Sequence, residues 1–209
     1  KGKILFILRH PVKRFISLYY FGKQQGLIPA EMDFTTFRKQ SERYKELDNM
    51  SLLAYNTGFY SRFIERYYHY FPKDQILIYF FENLVHDPVK VMRKVALDLR
   101  IDPDFYSDLD FQKYNTTVKV KSRLMEDAYN TMRSALIHSV YKTRWGYSLV
   151  EKAKRVIRPL YTRINTVPLE KELIPEAEIQ YLEKVYANEA ENLARLTGLK
   201  VPWPVKATV

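Results

Sequence analysis

The sequence has no cysteine, which excludes a disulfide framework and any thiolate metal site. A reducing, cytoplasmic setting is the expected location. Long hydrophobic runs are missing too: the first apolar stretch, Ile4–Leu8, falls far short of the ~20 residues a membrane span requires, and no signal peptide is visible. The four histidines, His10, His69, His86 and His138, are widely separated, so neither a metal cluster nor a triad is expected. There is no internal repeat and no low-complexity segment.

Acidic residues are in deficit, with 24 Asp and Glu against 34 Lys and Arg and a formal charge of +10. That surplus favours anionic partners without choosing among nucleic acid, anionic lipid and phosphate- or sulfate-bearing small molecules. Specific nucleic-acid binding is not expected, because no helix-turn-helix, zinc or RNP-like pattern accompanies the charge. Aromatic residues reach 15%, with 17 Tyr and 12 Phe. This reads as cores whose tyrosine hydroxyls reach water, since the ring is apolar and its tip polar.

Along the chain, Ile4–Leu8 is apolar on both faces and closed by Arg9-His10-Pro11, the pattern of a strand in a parallel sheet covered above and below. Pro11 suits the first turn of a helix, and Val12, Phe15, Ile16 and Tyr19 recur at helical spacing. Further helices are predicted over 34–47 and 58–71. A second strand follows at Gln75–Phe80, then a helix from Asp87-Pro88 as N-cap and N1. A last helix is predicted from Pro175 to a stop at Gly198. The alternation predicts an α/β fold with a parallel sheet and flanking helices. It also predicts one domain over 1–209, with an α/β nucleotide-binding core at 1–110 and a mostly helical part at 111–209. Within the latter, 142–163 is strongly basic; it reads either as a weak polyanion or membrane-surface contact or as a solvated face whose stems cover apolar surface.

Arg9, at a strand's carboxyl end, offers a planar, permanently charged fork for phosphate oxygens, and ligands of open α/β sheets collect there. Ser17, two turns along the next helix, can add a hydroxyl donor. Spacing alone leaves a second reading open: an arginine capping the sheet and a surface serine.

The run Lys3 to Tyr19, with Arg9-His10-Pro11, Arg14 and Ser17-Leu18-Tyr19, resembles the 3′-phosphate motif of PAPS-dependent sulfotransferases; His10 departs from the Asp or Asn common there. Gly58-x-Tyr60, Tyr70-Phe71-Pro72, Glu82-Asn83-Leu84 with Asp87-Pro88, and a tail from Tyr186 to Trp203 are also similar to the family, the tail to its bacterial carbohydrate (heparan-sulfate-type) members. The resemblance implies a P-loop-NTPase-like fold, PAPS as donor, adenosine 3′,5′-bisphosphate as product, no metal, and a carbohydrate acceptor whose hydroxyl or amine is sulfated. It assigns Arg9 and Ser17 to the 3′-phosphate. It also offers Lys119, Lys121 and Arg123, in the loop from Asn115, as nucleotide contacts; the alternative there is a solvated loop. Trp145 could line an acceptor groove or serve as a packing anchor. No segment matches the family's Lys-x-Gly-Thr-Thr phosphosulfate loop, so that loop and the catalytic base are expected upstream of Lys1, and no catalytic residue is assigned. A non-catalytic, basic nucleotide- or polyanion-binding module is the alternative function.

Overall fold

The computed structural model describes residues 2–107, 109, 111, 118–120, 131, 166–168 and 172–203. They belong to two compact units, one built from Lys1–Tyr114 with Leu173–Val209 and the other from Asn115–Glu172.

In the first unit, β1 (Ile4–Leu8) and β2 (Ile76–Phe80) pair in parallel, in register from Ile4 opposite Ile76 to Leu8 opposite Phe80. Parallel neighbours require a long crossover. It holds α1 (Pro11–Gln25), α2 (Phe34–Arg43) and α3 (Tyr60–Tyr70). Behind β2 come α4 (Phe81–His86) and α5 (Pro88–Leu99). The architecture is α/β, as the alternation of elements predicts. In the second unit, β3 (Val118–Val120) and β4 (Thr166–Pro168) form an antiparallel pair. The first unit is completed by α6 (Glu176–Val185) and α7 (Glu189–Thr197).

The period-2 alternation of strands puts Phe6, Leu8, Ile78 and Phe80 on one face. There they pack with Tyr60, Ile64, Ala190, Leu193 and Trp203. On the other face Tyr79 is buried and its hydroxyl donates to Asp98 of α5 at 2.6 Å, whereas Leu5 and Ile7 stay 38% and 48% exposed. The expected cover on both faces is therefore greater beneath β2, where Leu77 is half-buried and Tyr79 buried, than beneath β1.

Pro11 occupies the first turn of α1, and His10 before it, at φ −43°, ψ 122°, is kept out of the helical region, as a following proline demands. The inward stripe of α1 places Phe15 and Tyr19 beside Phe34 and Phe37 of α2, with ring centroids 5.1–5.6 Å apart where these two helices meet. Three of the buried tyrosines end on backbone carbonyls: Tyr19 donates to Met32, Tyr60 to Arg9 and Tyr186 to Tyr55, at 2.7–2.8 Å.

Three boundaries differ from the periodicity. Helix α2 stops at Arg43 because Tyr44 turns extended (φ −75°, ψ 131°) and its carbonyl accepts from Asn56 at 2.9 Å. The expected helix from Pro175 to Gly198 is divided into α6 and α7 at Tyr186–Asn188. The short α4 was not visible as a periodic stretch. The predicted stops and starts at Gly198 (φ 72°) and Asp87-Pro88 hold, with Asp87 accepting from the Lys90 amide at 2.9 Å. No helix among the described residues is long and apolar enough to cross a membrane.

Candidate functional site

The carboxyl end of β1 runs through two residues, Arg9 and His10, before Pro11 opens α1. Leu8 is buried at the end of β1 and Pro11 opens α1 three residues later, so Arg9, half-buried, stands at the strand's carboxyl end. Its guanidinium lies 5.0 Å from the centroid of the Phe81 ring, a contact that orients the group without neutralising it. Among the described residues no carboxylate pairs with it. Arg14, one turn on, is committed elsewhere. It donates to the Thr57 hydroxyl at 2.7 Å and the Ala54 carbonyl at 3.4 Å, and lies over the Tyr60 ring. The two arginines of the motif thus divide: Arg14 braces α1, while Arg9 keeps its charge available.

Ser17 is exposed on α1, on the side opposite Phe15 and Tyr19. Lys13, also exposed, precedes it by four residues and therefore shares its face. Of the other predicted contacts, Lys119 lies in β3, with its side chain outside the described residues. Lys121, Arg123, Trp145 and all of 142–163 lie outside them as well.

The backbone at Arg9 is pinned. The Tyr60 hydroxyl donates to the Arg9 carbonyl at 2.7 Å, and the His10 amide donates to Glu82 Oε1 at 2.9 Å. Glu82 Oε2 in turn accepts from Trp203 Nε1 at 2.9 Å. Burial pushes the Tyr60 hydroxyl up to about 12, so it remains a donor at neutral pH. Burial, assisted by Lys13, holds the His10 imidazole below its ordinary pKa; its Nδ1 is buried without a hydrogen-bond partner. It borders a cavity of about 50 Å³ shared with Val12, Glu183, Tyr186 and Trp203. Among the described residues no group of His, Asp or Glu is arranged to hold a metal ion.

These features describe an α/β protein with an uncommitted arginine at the carboxyl end of its first strand. The chain belongs to the sulfotransferase domain family, whose model matches residues 1–161. Among solved structures, a sulfotransferase from Alicyclobacillus acidocaldarius is similar at 25% identity over 65% of this chain, with a TM-score of 0.43. The chain spans 54% of that protein's length. No curated protein matches it.

Proposed function

We propose that the protein transfers a sulfuryl group from PAPS to an acceptor hydroxyl or amine, and that this chain supplies the site for the donor's 3′-phosphate. In that reaction the bond from sulfur to the bridging phosphate oxygen breaks and a bond from sulfur to the acceptor oxygen or nitrogen forms. Adenosine 3′,5′-bisphosphate leaves, and the acceptor's proton passes to a base. Arg9 and Ser17 hold the far end of the donor and take no part in the proton transfer. No residue of this chain is assigned to the phosphosulfate loop or to the base, and Lys119, Lys121 and Arg123 are further nucleotide contacts. We read the chain as one sulfotransferase domain, because the family match runs from 1 to 161 across both compact units.

The observation that carries this reading is Arg9 itself: a family-motif arginine at a strand's carboxyl end, oriented by Phe81 and free of carboxylates among the described residues. A structural sheet-capping arginine would have its donors taken up inside the fold, as those of Arg14 are by Thr57 and Ala54. Carbohydrate is the acceptor we propose, from the resemblance of the tail. Two prominent tail residues are taken up in packing, Tyr186 against Gly58 and Trp203 on Glu82, so the acceptor rests on resemblance alone.

Calorimetric titration of the full-length protein with adenosine 3′,5′-bisphosphate tests the site. Arg9→Ala should weaken binding by about tenfold or more, since a charge-assisted hydrogen bond contributes roughly 1.5–3 kcal/mol. Ser17→Ala should weaken it less, by the ~0.5–1.5 kcal/mol of a neutral one. Unchanged affinity in both variants would remove the assignment.

A further inference from the structure

A single peptide group, the one joining Arg9 to His10, is held at both polar ends by side chains. Its oxygen accepts from the Tyr60 hydroxyl at 2.7 Å and its N–H donates to Glu82 Oε1 at 2.9 Å. Neither partner is backbone, and the two come from the first turns of different helices, α3 and α4. The peptide is planar, so pinning its oxygen and its N–H fixes the plane. That restrains ψ of Arg9 on one side and φ of His10 on the other; Pro11 restricts His10 further. The direction in which the Arg9 side chain leaves the backbone is thereby set before any ligand arrives.

Glu82 is itself held. Its second oxygen accepts from Trp203 Nε1 at 2.9 Å. Trp203 is only 4% exposed, with the rings of Tyr60, Phe80 and His10 at 5.8, 5.5 and 6.0 Å between centroids. An indole N–H donates and never accepts, and an ionised carboxylate only accepts. The chain Trp203–Glu82–His10 amide therefore has one consistent polarity.

We propose that Tyr60, Glu82 and Trp203 are positioning residues for the 3′-phosphate site, so that the C-terminal segment sets the aim of Arg9. This rests on the reading of Arg9 given above. None of the three touches the nucleotide; they act through the Arg9–His10 peptide. Preorganisation of this kind contributes affinity by removing the cost of ordering the contact on binding, and outer-shell partners of ligating groups are worth tens-fold where they have been probed.

The test titrates the full-length protein with two probes, adenosine 3′,5′-bisphosphate and adenosine 5′-monophosphate, the second lacking the group Arg9 would hold. Trp203→Phe keeps an aromatic ring in the core and deletes the donor; Tyr60→Phe frees the peptide oxygen. Each should weaken the bisphosphate by about three- to tenfold, the size of one hydrogen bond's net contribution, and leave the monophosphate unchanged. Combined with Arg9→Ala, neither should cause any further loss. Equal weakening of both probes, or losses that multiply with that of Arg9→Ala, would show a role in general stability and overturn the inference. So would full retention of the bisphosphate preference in both Phe variants. If Arg9→Ala alone leaves bisphosphate affinity intact, the 3′-phosphate reading fails, a result distinct from the others. Thermal melting of each variant separates misfolding from misplacement, and Tyr60→Phe carries the comparison if Trp203→Phe does not fold.

Discussion

At Gly58 a single hydrogen atom decides the packing. A Cβ built there would lie 2.6 Å from Cε1 and Cζ of Tyr186, closer than carbon atoms approach without displacing one another. Tyr186 cannot yield easily: its ring packs against Phe59 and Tyr55, and its hydroxyl donates to the Tyr55 carbonyl at 2.7 Å. Gly58→Ala should therefore destabilise the protein by about 1–3 kcal/mol, the range for overpacked cores. In a chain of this size that lowers Tm by roughly 2–4 °C per kcal/mol, measurable by calorimetry. An unchanged melting curve would mean that α3 and the Tyr186 turn shift freely, contrary to the packing seen. The motif Gly58-x-Tyr60 was legible in the sequence, but its reason was not. The residue that needs the space is 128 positions later, and only the fold brings the ring to the glycine. Arg9 was legible for the opposite reason: strand, arginine and proline are consecutive, so the chemistry of the strand end is local.

Among the elements, α3 begins without a side-chain cap of its own, since Phe59 occupies the N-cap position. The first helix turn leaves amide donors unpaired, and a residue of another helix fills the need. Glu189, at the start of α7 and 3% exposed, accepts from the Ser61 amide at 2.6 Å and the Ser61 hydroxyl at 3.1 Å. Burial raises the Glu189 pKa, against the lowering effect of the two Ser61 bonds. The folded state thus holds a proton to higher pH than the unfolded chain does. Stability should fall as pH rises from about the ordinary value of 4.5 to the raised folded value, and be level beyond it. Glu189→Gln has no such titration and should lose that slope in urea unfolding followed across the acid range. A slope identical in both proteins would assign it to other carboxylates. This cap also shows why the break between α6 and α7 was hidden from periodicity. Apolar residues recur without interruption through 179–196, yet Tyr186 must reach Tyr55 and Glu189 must reach Ser61. Both demands are tertiary, and neither leaves a local signal such as the Pro11, Asp87-Pro88 and Gly198 punctuation that was read correctly.

For the whole molecule, the charge surplus and the proposed nucleotide site make separable claims. In the first unit several cations are neutralised in place: Arg38 by Glu178 and Glu42 at 2.7 and 2.9 Å, Arg93 by Asp104 and Lys94 by Asp98. The formal +10 is then left to cations without such partners, a diffuse field that salt screens with a Debye length of about 8–10 Å. A long polyanion meeting that field displaces many counterions. By the behaviour of duplex DNA, six to ten contacts lose about 10³–10⁵ in affinity between 50 and 200 mM salt. A bisphosphate held through Arg9 displaces few, and its affinity should fall by only about tenfold or less over the same range. Titrating the full-length protein with adenosine 3′,5′-bisphosphate and with a sulfated polysaccharide at both salt concentrations measures the two slopes. Arg9→Ala should lower the bisphosphate affinity at both concentrations while leaving the polysaccharide slope nearly unchanged, because one charge in the surplus is a small part of the field. If the bisphosphate slope is as steep as the polysaccharide's, the nucleotide is held by the surface charge at large. The basic binding module then replaces the sulfotransferase site as the better account of this chain.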